Sequence, residues 1–402
     1  MSAEVPARPL VATYRLQLNR GFTFAHAMER LPYLKALGIS HLYLSPVLQA
    51  ARGSAHGYDL IDPSRLSDEL GGTHGFEQLV ASAHRHGLGL IVDIVPNHMS
   101  IADARNSWWW DVLTYGPHGR WAHAFDVDWD APEPGMKDVV LLPVLADHRH
   151  RVLQRGEVKV RRKGGIFFLE YQGMRFPLTP RSVGPLLREA SGRCNNARVA
   201  FFADAFEELQ HHAVTHDLLE ELLEKSPMCA AALDLGLEAL NRSPERLDAL
   251  LDAQFYRLAY WRRAERDLDY RRFFDVNSLV GMRTEDPRGF EATHGLIGEL
   301  TRAGAIDGLR VDHVDGLANP RVYLERLRAL AGPAATVHVE KVLGPDEELR
   351  AWPVDGTTGY EFAADCAALF VPLESEGPLS SLQAELGLEN RPFDELAAEA
   401  RG

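Results

Sequence analysis

The sequence predicts an α/β protein, an incomplete (β/α)8 TIM-type barrel with a large mixed insertion between strands three and four. Strand-like and helix-like segments alternate along the chain, as they do in parallel βαβ units. Polar residues crowd the C-terminal ends of several strand-like segments, where barrels build their active sites. The competing architecture, an open doubly wound sheet, usually carries a G-x-G-x-x-G turn after its first strand, and no such turn follows Leu18.

Five segments are predicted to be buried strands, because each is short, apolar and rich in β-branched or aromatic residues. They are VATYRLQL from Val11, ISHLYLSP from Ile39, LGLIVDIVPNH from Leu88, IDGLRVDHVD from Ile306 and ATVHVEKV from Ala335. The stretches FAHAMERLPYLKALG and GFEQLVASAHRHG have apolar residues at helical spacing and end at glycine. A sixth strand is expected if Thr358 to Phe362 forms one, whereas a closed barrel requires eight.

An inserted subdomain accounts for the roughly 200 residues between strands three and four, far more than one crossover helix requires. Within it, a hairpin is predicted to turn at Lys163-Gly164-Gly165, and Asp204 to Lys225 is predicted to be helical. The predicted domains are residues 1–115 with strands one to three, 116–285 as the insertion, and 286–402 with the later strands of an unclosed barrel.

The composition is that of a globular protein with an acidic balance, 46% hydrophobic and 25% charged with a net charge of -14. Nucleic-acid backbones are bound by Lys and Arg patches, so no nucleic-acid partner is expected. No signal peptide or membrane-length apolar run is recognisable, and a cytoplasmic protein without membrane association is expected. Cys194, Cys229 and Cys366 are widely spaced and are expected to be free thiols, not a disulfide framework or a zinc site.

The segment GLRVDHVDG carries the first candidate catalytic residues. Arg310 and Asp312 are two residues apart, so a strand directs both side chains to one face. A carboxylate that faces a barrel interior needs a cation beside it, and Arg310 is expected to keep Asp312 deprotonated at neutral pH. Such a carboxylate is a candidate nucleophile. The alternative is an ion pair with a purely structural role.

The following strand places a second acid, Glu340, at its C-terminal end. Neighbouring strands lie about 4.8 Å apart, so Asp312 and Glu340 are expected near the roughly 5 to 5.5 Å separation of the carboxyl groups in retaining glycosidases. One acid would attack the sugar while the other protonates the leaving oxygen. A solvated glutamate at a strand end is the alternative.

Further polar residues follow strands two and three. Asp93 is expected to pair with Arg310, and Asn97 or His98 to hydrogen-bond a sugar hydroxyl, although His98 taken alone is more often a structural histidine. His56 and Tyr58 flank a glycine that lets the backbone turn sharply after strand two.

An arginine and aromatic cluster lies shortly before strand four. Tyr270, Arg271, Arg272 and Phe273, followed by Phe274, could cradle a polyhydroxy ligand. A charged helix face would look similar.

Several of these motifs resemble one enzyme superfamily. DIVPNH, GLRVDHVDG and VEK resemble the first three conserved regions of the α-amylase superfamily, glycoside hydrolase family 13, in their usual order, and HGYD resembles its sugar-stacking segment. The stretches TYRLQLNRGFTF, YLSPVLQAARGSAHGYDLIDP, WWWDVL, LDYRRFFDVNSLVGMR and WPVDGTTGYEF are similar to the maltooligosyltrehalose synthase family, over essentially the whole chain.

The resemblance implies a role for each candidate residue. Asp312 would be the nucleophile, Glu340 the general acid/base and Arg310 the residue that orients Asp312. The candidate substrate-binding residues are His56, Tyr58, Asp93, Asn97, His98, His313, Tyr270, Arg271, Arg272 and Phe273.

The implied reaction is an intramolecular transglucosylation, of the isomerase class. The reducing-end α-1,4 bond of a maltooligosaccharide would become an α,α-1,1 bond through a covalent glycosyl-enzyme. No cofactor or metal is expected, because two carboxylates supply the nucleophile and the proton. A trehalose-releasing hydrolase is the expected functional partner.

One departure from the superfamily leaves other functions open. Its fourth region, with a third catalytic Asp and a substrate-binding His, is not recognisable, so the chain is expected to be the N-terminal part of a longer protein. The alternatives are an α-glucan hydrolase with the same catalytic residues and an inactive glucan-binding fragment.

Overall fold

The computed structural model describes residues 8–133, 135–208, 213–344, 346–389 and 391–401. Its strands are β1 Thr13–Leu16, β2 His41–Leu44, β3 Leu48–Ala50, β4 Leu60–Leu66, β5 Gly89–Ile94, β6 His98–Ser100, β7 Val140–Leu145, β8 Val158–Lys163, β9 Ile166–Tyr171, β10 Met174–Pro177, β11 Tyr256–Tyr260, β12 Arg272–Phe273, β13 Val276–Gly281, β14 Gly308–Val311, β15 Thr336–Val339 and β16 Gly356–Thr357. Its helices are α1 Phe24–Ala36, α2 Gly72–Arg85, α3 Ser107–Tyr115, α4 Arg149–Gln154, α5 Pro180–Cys194, α6 Ala197–Glu207, α7 Ala213–Lys225, α8 Pro227–Asn241, α9 Pro244–Asp252, α10 Ala264–Asp267, α11 Pro287–Arg302, α12 Pro320–Ala331, α13 Tyr360–Ala368, α14 Glu376–Glu385 and α15 Phe393–Arg401. None of the helices within these ranges has the length and apolarity of a membrane span.

Six strands form one parallel sheet in the order β1-β2-β5-β14-β15-β16. Each strand of this sheet pairs with the strand of the same sheet that follows it in sequence, which is the strand order of a barrel wall. β5, with the sequence GLIVDI, is buried at every residue, as expected for a parallel strand that is covered on both faces. The sheet confirms the predicted incomplete (β/α)8 barrel, and all five predicted strands are present.

The predicted crossover helices α1 and α2 are also confirmed. Each buries one apolar face, and the faces meet where Phe24 and Phe76 pack edge to face with 5.5 Å between ring centroids. Both rings are almost completely buried, and each contributes about 1.5 to 3 kcal/mol of hydrophobic stabilisation. Three further helices, α13, α14 and α15, follow β16.

Two predicted strand boundaries were wrong. The third strand was expected to run through His98, but β5 ends at Ile94, and His98 begins β6, which pairs antiparallel with β13. Pro96 has no backbone N–H to donate to a sheet, so the chain leaves β5 before it. The sixth strand is not Thr358–Phe362 but the two-residue β16, because Gly359 has a left-handed backbone (φ 78°) and α13 begins at Tyr360.

The chain between β6 and α11 forms small sheets and a group of helices. The predicted hairpin is confirmed as β8 and β9 with Gly164 and Gly165 in its turn, and β10 completes a three-stranded antiparallel sheet. The predicted helix appears as the end of α6 and the whole of α7, while residues 209–212 lie outside the described residues. One apolar core extends through the barrel strands and this region, and the domain boundaries at 115/116 and 285/286 stay a prediction.

Two of the three cysteines are neighbours in the structure. Cys194 at the end of α5 and Cys229 on α8 are both buried, with their Sγ atoms 2.9 Å apart. All three cysteines are free thiols, as predicted, but their sequence spacing gives no sign of this contact.

The hairpin turn provides a test of the packing between β8, β9 and α7. A Cβ on Gly165 would lie 2.1 Å from the backbone oxygen of His216, whose Nδ1 donates to the Gly165 carbonyl at 2.8 Å. We expect Gly165→Ala to lower the free energy of unfolding by about 1–3 kcal/mol, measured by urea denaturation.

The matched control is Gly192→Ala on α5, where an added Cβ has no atom within 4 Å. This change should raise the free energy of unfolding by about 0.5–1 kcal/mol, because alanine favours a helix over glycine. Equal urea midpoints for the two variants would contradict the close approach of α7 to the turn.

Candidate active site

Arg310 is the centre of the candidate site. It lies on β14 in register with Asp93 on β5, so both side chains project from the same face of the sheet. Its Nη1 donates to Asp93 Oδ1 at 2.8 Å and to Asp312 Oδ1 at 2.6 Å, and its Nη2 lies 3.3 Å from Glu340 Oε1. The Arg310 side chain is only 8% exposed, so these contacts are poorly screened by water. One guanidinium therefore holds three carboxylates, and the predicted pairing of Arg310 with Asp93 is confirmed.

Asp93 is the fully buried end of this network, with a side chain that is 0% exposed. Its Oδ2 accepts from the hydroxyls of Tyr43 at 2.9 Å and Tyr58 at 2.5 Å, and Arg15 Nη1 approaches it at 3.4 Å. Burial and the Asp93 carboxylate raise the pKa of both tyrosines, so they remain hydrogen-bond donors. Asp93 is thus placed to brace Arg310 from behind, without reaching the cavity described below.

Asp312 is a buried acid whose ionisation is opposed by its surroundings. It follows β14 directly, and its backbone N–H still donates to the carbonyl of Ile94 at 2.9 Å. Burial raises the pKa of Asp312 to about 7; Arg310 opposes this shift, while Asp93 and Glu340 reinforce it. Arg310 thus favours the ionised form, as expected, and the expectation that it keeps Asp312 deprotonated at neutral pH stays a prediction.

Glu340 is oriented by backbone geometry as well as by Arg310. His313 has a left-handed backbone (φ 46°), and its N–H donates to Glu340 Oε2 at 2.8 Å. The N–H of Glu340 itself donates to the carbonyl of Val311 at 2.9 Å, which fixes the start of the loop after β15. The Glu340 side chain is 28% exposed, so it is the more accessible of the two candidate catalytic acids. The separation of about 5 to 5.5 Å expected for a retaining pair stays a prediction.

A cavity of about 800 Å³ lies over Arg310, within the usual size of small-molecule sites. Its lining residues are Arg15, Tyr43, His56, Tyr58, His98, Phe273, Phe274, Leu279, Arg310, Asp312, His313, Glu340, Thr358, Gly359, Tyr360 and Ala363. The structure therefore brings the three predicted catalytic residues together with five of the predicted substrate-binding residues, which are His56, Tyr58, His98, Phe273 and His313.

One wall of the cavity is aromatic and is positioned by the small β6-β13-β12 sheet. The pairing of β13 with β6 and β12 brings Phe273 to His98, with 4.2 Å between ring centroids. Phe274 follows with a left-handed backbone (φ 48°) and lies 5.2 Å from the His313 ring. Burial lowers the pKa of His98 to about 4, so its ring is neutral near pH 7 and its Nε2 donates to the Tyr58 carbonyl at 3.1 Å.

Five predicted substrate-binding residues lie outside the cavity lining, which are Asp93, described above, and Asn97, Tyr270, Arg271 and Arg272. Arg271 donates from Nη1 to Asn97 Oδ1 at 2.7 Å and from Nε to Asp126 at 2.8 Å, so it links the loop after β5 to the insertion. Tyr270 is buried and donates its hydroxyl to a backbone carbonyl at 2.8 Å. Arg272 donates hydrogen bonds to Asn277 and Asp275, which lie in the same β12–β13 hairpin. Asn97, Tyr270, Arg271 and Arg272 are thus bonded to other protein groups away from the cavity lining, and their role in substrate binding stays a prediction.

Some lining residues were missed by the sequence analysis. Tyr43 alternates with the buried Leu42 and Leu44 on β2, a pattern that could have assigned it to the barrel interior. Arg15 on β1 also lines the cavity, and its guanidinium lies 4.8 Å from the Tyr43 ring centroid. Tyr360, at the start of α13, could not be assigned without the correct end of the sixth strand.

No three His, Cys, Asp or Glu side chains within the described parts of the chain are grouped as ligands of a metal ion. The chemistry available in this cavity is that of two carboxyl groups, Asp312 and Glu340, held by one cation and facing an aromatic wall. A pair of acids in a cavity of this size suits glycosidic bond chemistry.

Comparisons with known proteins agree with this geometry. A family profile described as the catalytic domain of alpha amylase matches residues 24–128. A putative maltooligosyl trehalose synthase of Mycobacterium tuberculosis (strain H37Rv) is 34% identical over 405 residues, which cover 98% of this chain and 43% of that protein. The solved structure of maltooligosyltrehalose synthase from Arthrobacter ramosus is 36% identical, with a TM-score of 0.73.

The chain is a relative of the maltooligosyltrehalose synthases. The Arthrobacter ramosus structure matches 97% of this chain and 42% of its own length, and a glycosyltrehalose synthase from DSM5389 has a TM-score of 0.74 at 35% identity, covering 96% of this chain and 45% of its own. The chain thus spans less than half the length of the maltooligosyltrehalose synthases it matches. Because the match extends over nearly all of this chain, it includes the Arg310 network and the cavity.

The raised pKa of Asp312 predicts a pH-dependent cost to stability. The folded state retains a proton on Asp312 up to about pH 7, whereas an unfolded Asp loses it near its ordinary value of 3.8. Stability should therefore fall as pH rises between about 4 and 7, and the full penalty is present above pH 7.

Asp312→Asn removes this penalty because its amide does not ionise. We expect its gain in the free energy of unfolding to grow from pH 4 to pH 7 and then level off, at no more than about 4 kcal/mol. Urea denaturation of both proteins from pH 4 to pH 8.5 measures the difference. A difference that does not change with pH would contradict the raised pKa.

Proposed function

We propose that this chain carries the nucleophile and the general acid/base of an intramolecular transglucosylase. The substrate would be a maltooligosaccharide, whose reducing-end α-1,4 bond is converted to an α,α-1,1 bond. The observation that supports this proposal is the contact of Arg310 with both Asp312 and Glu340 beneath one cavity. The relationship to the maltooligosyltrehalose synthases supplies the choice of reaction within the glucan-active enzymes.

The first half-reaction breaks the terminal α-1,4 bond. Glu340, the more exposed acid, donates its proton to the glycosidic oxygen, while Asp312 attacks the anomeric carbon. The products are a glycosyl ester on Asp312 and a free glucose in the cavity. Arg310 stays charged throughout, because the carboxylates of Asp93 and Asp312 raise its pKa against the effect of burial. It therefore stabilises the Asp312 carboxylate, which is the leaving group when the glycosyl ester is broken.

The second half-reaction joins the same two sugars in a new way. The glucose turns so that its own anomeric hydroxyl attacks the ester, and Glu340 accepts the proton from that hydroxyl. The outcome depends on glucose reacting faster than water, which requires a close and poorly hydrated binding position. The rings of Phe273 and Phe274 are suited to this role, since they present apolar surface beside His98 and His313.

The proposal also includes the cellular location of the enzyme and its functional partner. A cytoplasmic location fits an enzyme that acts on storage-type glucans, and a trehalose-releasing hydrolase would consume its product. The acidic net charge of -14 suits a neutral sugar substrate better than a polyanion.

The direct test follows the reducing ends of maltohexaose in the presence of the purified chain, with product length measured in parallel. Loss of reducing ends without shortening is the expected result for trehalose-end formation. A rise in reducing ends would instead assign an α-glucan hydrolase. Unchanged ends together with measurable maltohexaose binding would leave only a glucan-binding function.

Substitutions identify the residues responsible for turnover. Asp312→Asn and Glu340→Gln should each lower kcat at least about 1000-fold, because each removes a group that acts on the reacting bond. The matched control is Asp315→Asn, since Asp315 lies outside the cavity lining and pairs with Lys341 at 3.3 Å. Near-normal turnover by Asp312→Asn would refute the nucleophile assignment.

The pH profile tests the raised pKa of the nucleophile. Because Asp312 must be ionised to attack and its pKa is about 7, kcat/KM should rise about tenfold per pH unit up to pH 7. The measurement is the initial rate of reducing-end loss at low maltohexaose between pH 5 and 9. An acidic limb centred near pH 4 would show that Asp312 titrates as an ordinary carboxylate.

A further inference from the structure

Two buried cysteines lie where helices α5 and α8 pack against each other. Cys194 is the last residue of α5, and Cys229 lies in the first turn of α8. The two residues are 3% and 1% exposed, and both belong to the apolar core. Neither lines the cavity over Arg310, so the pair is separate from the candidate active site.

The two thiols contact each other directly. The Sγ of Cys229 donates to the Sγ of Cys194 at 2.9 Å, and Cys194 in turn donates to the Ser191 carbonyl at 3.9 Å. A disulfide bond is about 2.05 Å long, so the sulfur atoms need to approach by roughly 0.9 Å, which is on the scale of ordinary thermal motion. The packing of α5 on α8 therefore already brings the thiols to where a disulfide can form.

Two other roles fit the pair less well. A buried cysteine often serves as a small apolar residue, and these two do continue the buried faces that contain Ala190 and Leu233. That role needs no contact between two sulfur atoms. A metal site needs further ligands, and no three His, Cys, Asp or Glu side chains in the described part of the chain form such a group. The direct contact between the sulfur atoms favours oxidation chemistry instead.

We propose that Cys194 and Cys229 form a redox-active pair, which a hydroperoxide converts to a disulfide between α5 and α8. Hydrogen peroxide oxidises one thiol to a sulfenic acid and releases water. The sulfur of the other cysteine then displaces the hydroxyl group, which leaves with the thiol proton as a second water, and the S–S bond forms. In total, two thiols lose two electrons and two protons to one molecule of peroxide. Because both residues are buried, the peroxide reaches them only during brief local openings, and the reaction is slow.

The cross-link restrains the helices between the two cysteines. It joins positions 35 apart in the sequence, and α6 and α7 lie between them. Closing a loop of this length limits the unfolded chain and so stabilises the folded state. The cross-link also supports the packing of α7 on the β8–β9 turn, where His216 bonds to Gly165. This effect concerns folding and needs no turnover, so it goes beyond the proposed function and does not depend on it.

The experiment treats the full chain with millimolar hydrogen peroxide and counts its thiols after denaturation. The count should fall from the three thiols of the untreated chain to one, that of Cys366. A tryptic digest without reductant should contain residues 194–198 joined to residues 226–242, and dithiothreitol should separate the two peptides. Oxidation should also raise the urea midpoint by at least about 0.3 M.

Two cysteine variants provide the controls. Cys229→Ala removes one member of the pair, so peroxide should give neither the linked peptide nor the rise in urea midpoint. Because its methionines are unchanged, this variant also separates the effect of the cross-link from that of methionine oxidation. The matched control is Cys366→Ala on α13, which should form the linked peptide and show the same rise as the unaltered chain.

Four outcomes would overturn the proposal. The first is a chain that keeps all three thiols after long exposure to peroxide. The second is oxidation of Cys194 or Cys229 to a sulfinic acid without the linked peptide. The third is a linked peptide found only in disulfide-bonded dimers, which would place the two sulfur atoms on different chains. The fourth is a cross-linked chain whose urea midpoint is unchanged or lower.

Discussion

The structure of the candidate site depends on one buried guanidinium, that of Arg310, which contacts Asp93, Asp312 and Glu340. Three carboxylates within reach of one another repel, and a low-dielectric interior strengthens that repulsion. Arg310 makes their proximity tolerable, and its planar fork fixes the direction from which each carboxylate approaches. Without this cation, the acids of β5 and of the ends of β14 and β15 could not lie so close together.

The backbone positions these side chains in two different ways. Strand register places Arg310 beside Asp93, because neighbouring parallel strands direct in-register residues to one face. Beyond the strand end, regular geometry no longer applies, and the left-handed His313 turns its N–H towards Glu340. Such a backbone costs a non-glycine residue about 1 kcal/mol, which the hydrogen bond to Glu340 helps to offset. The aromatic wall is positioned separately, because a short antiparallel sheet places Phe273 and Phe274 at the cavity.

Burial of Asp312 connects stability to chemistry. The surroundings that raise its pKa to about 7 disfavour the charged form in the resting protein. A poorly solvated carboxylate of this kind is a stronger nucleophile once ionised, and the proposed reaction converts it into a neutral ester. The protein would therefore give up folding stability at neutral pH in exchange for a reactive group.

The sequence by itself determined the barrel strands, the pairing of Arg310 with Asp312 and the position of Glu340 at a strand end. These features depend on local periodicity, since a strand alternates its faces every two residues and polar residues mark where it stops. The tertiary structure alone decided the raised pKa of Asp312, the hydrogen bonds of Tyr43 and Tyr58 to Asp93, and the contacts that Tyr270 and Arg271 make away from the cavity. It also decided the contact of Cys194 with Cys229. Each of these depends on groups that are distant in sequence, because desolvation and contact across elements are properties of the packed chain and leave no local periodic pattern.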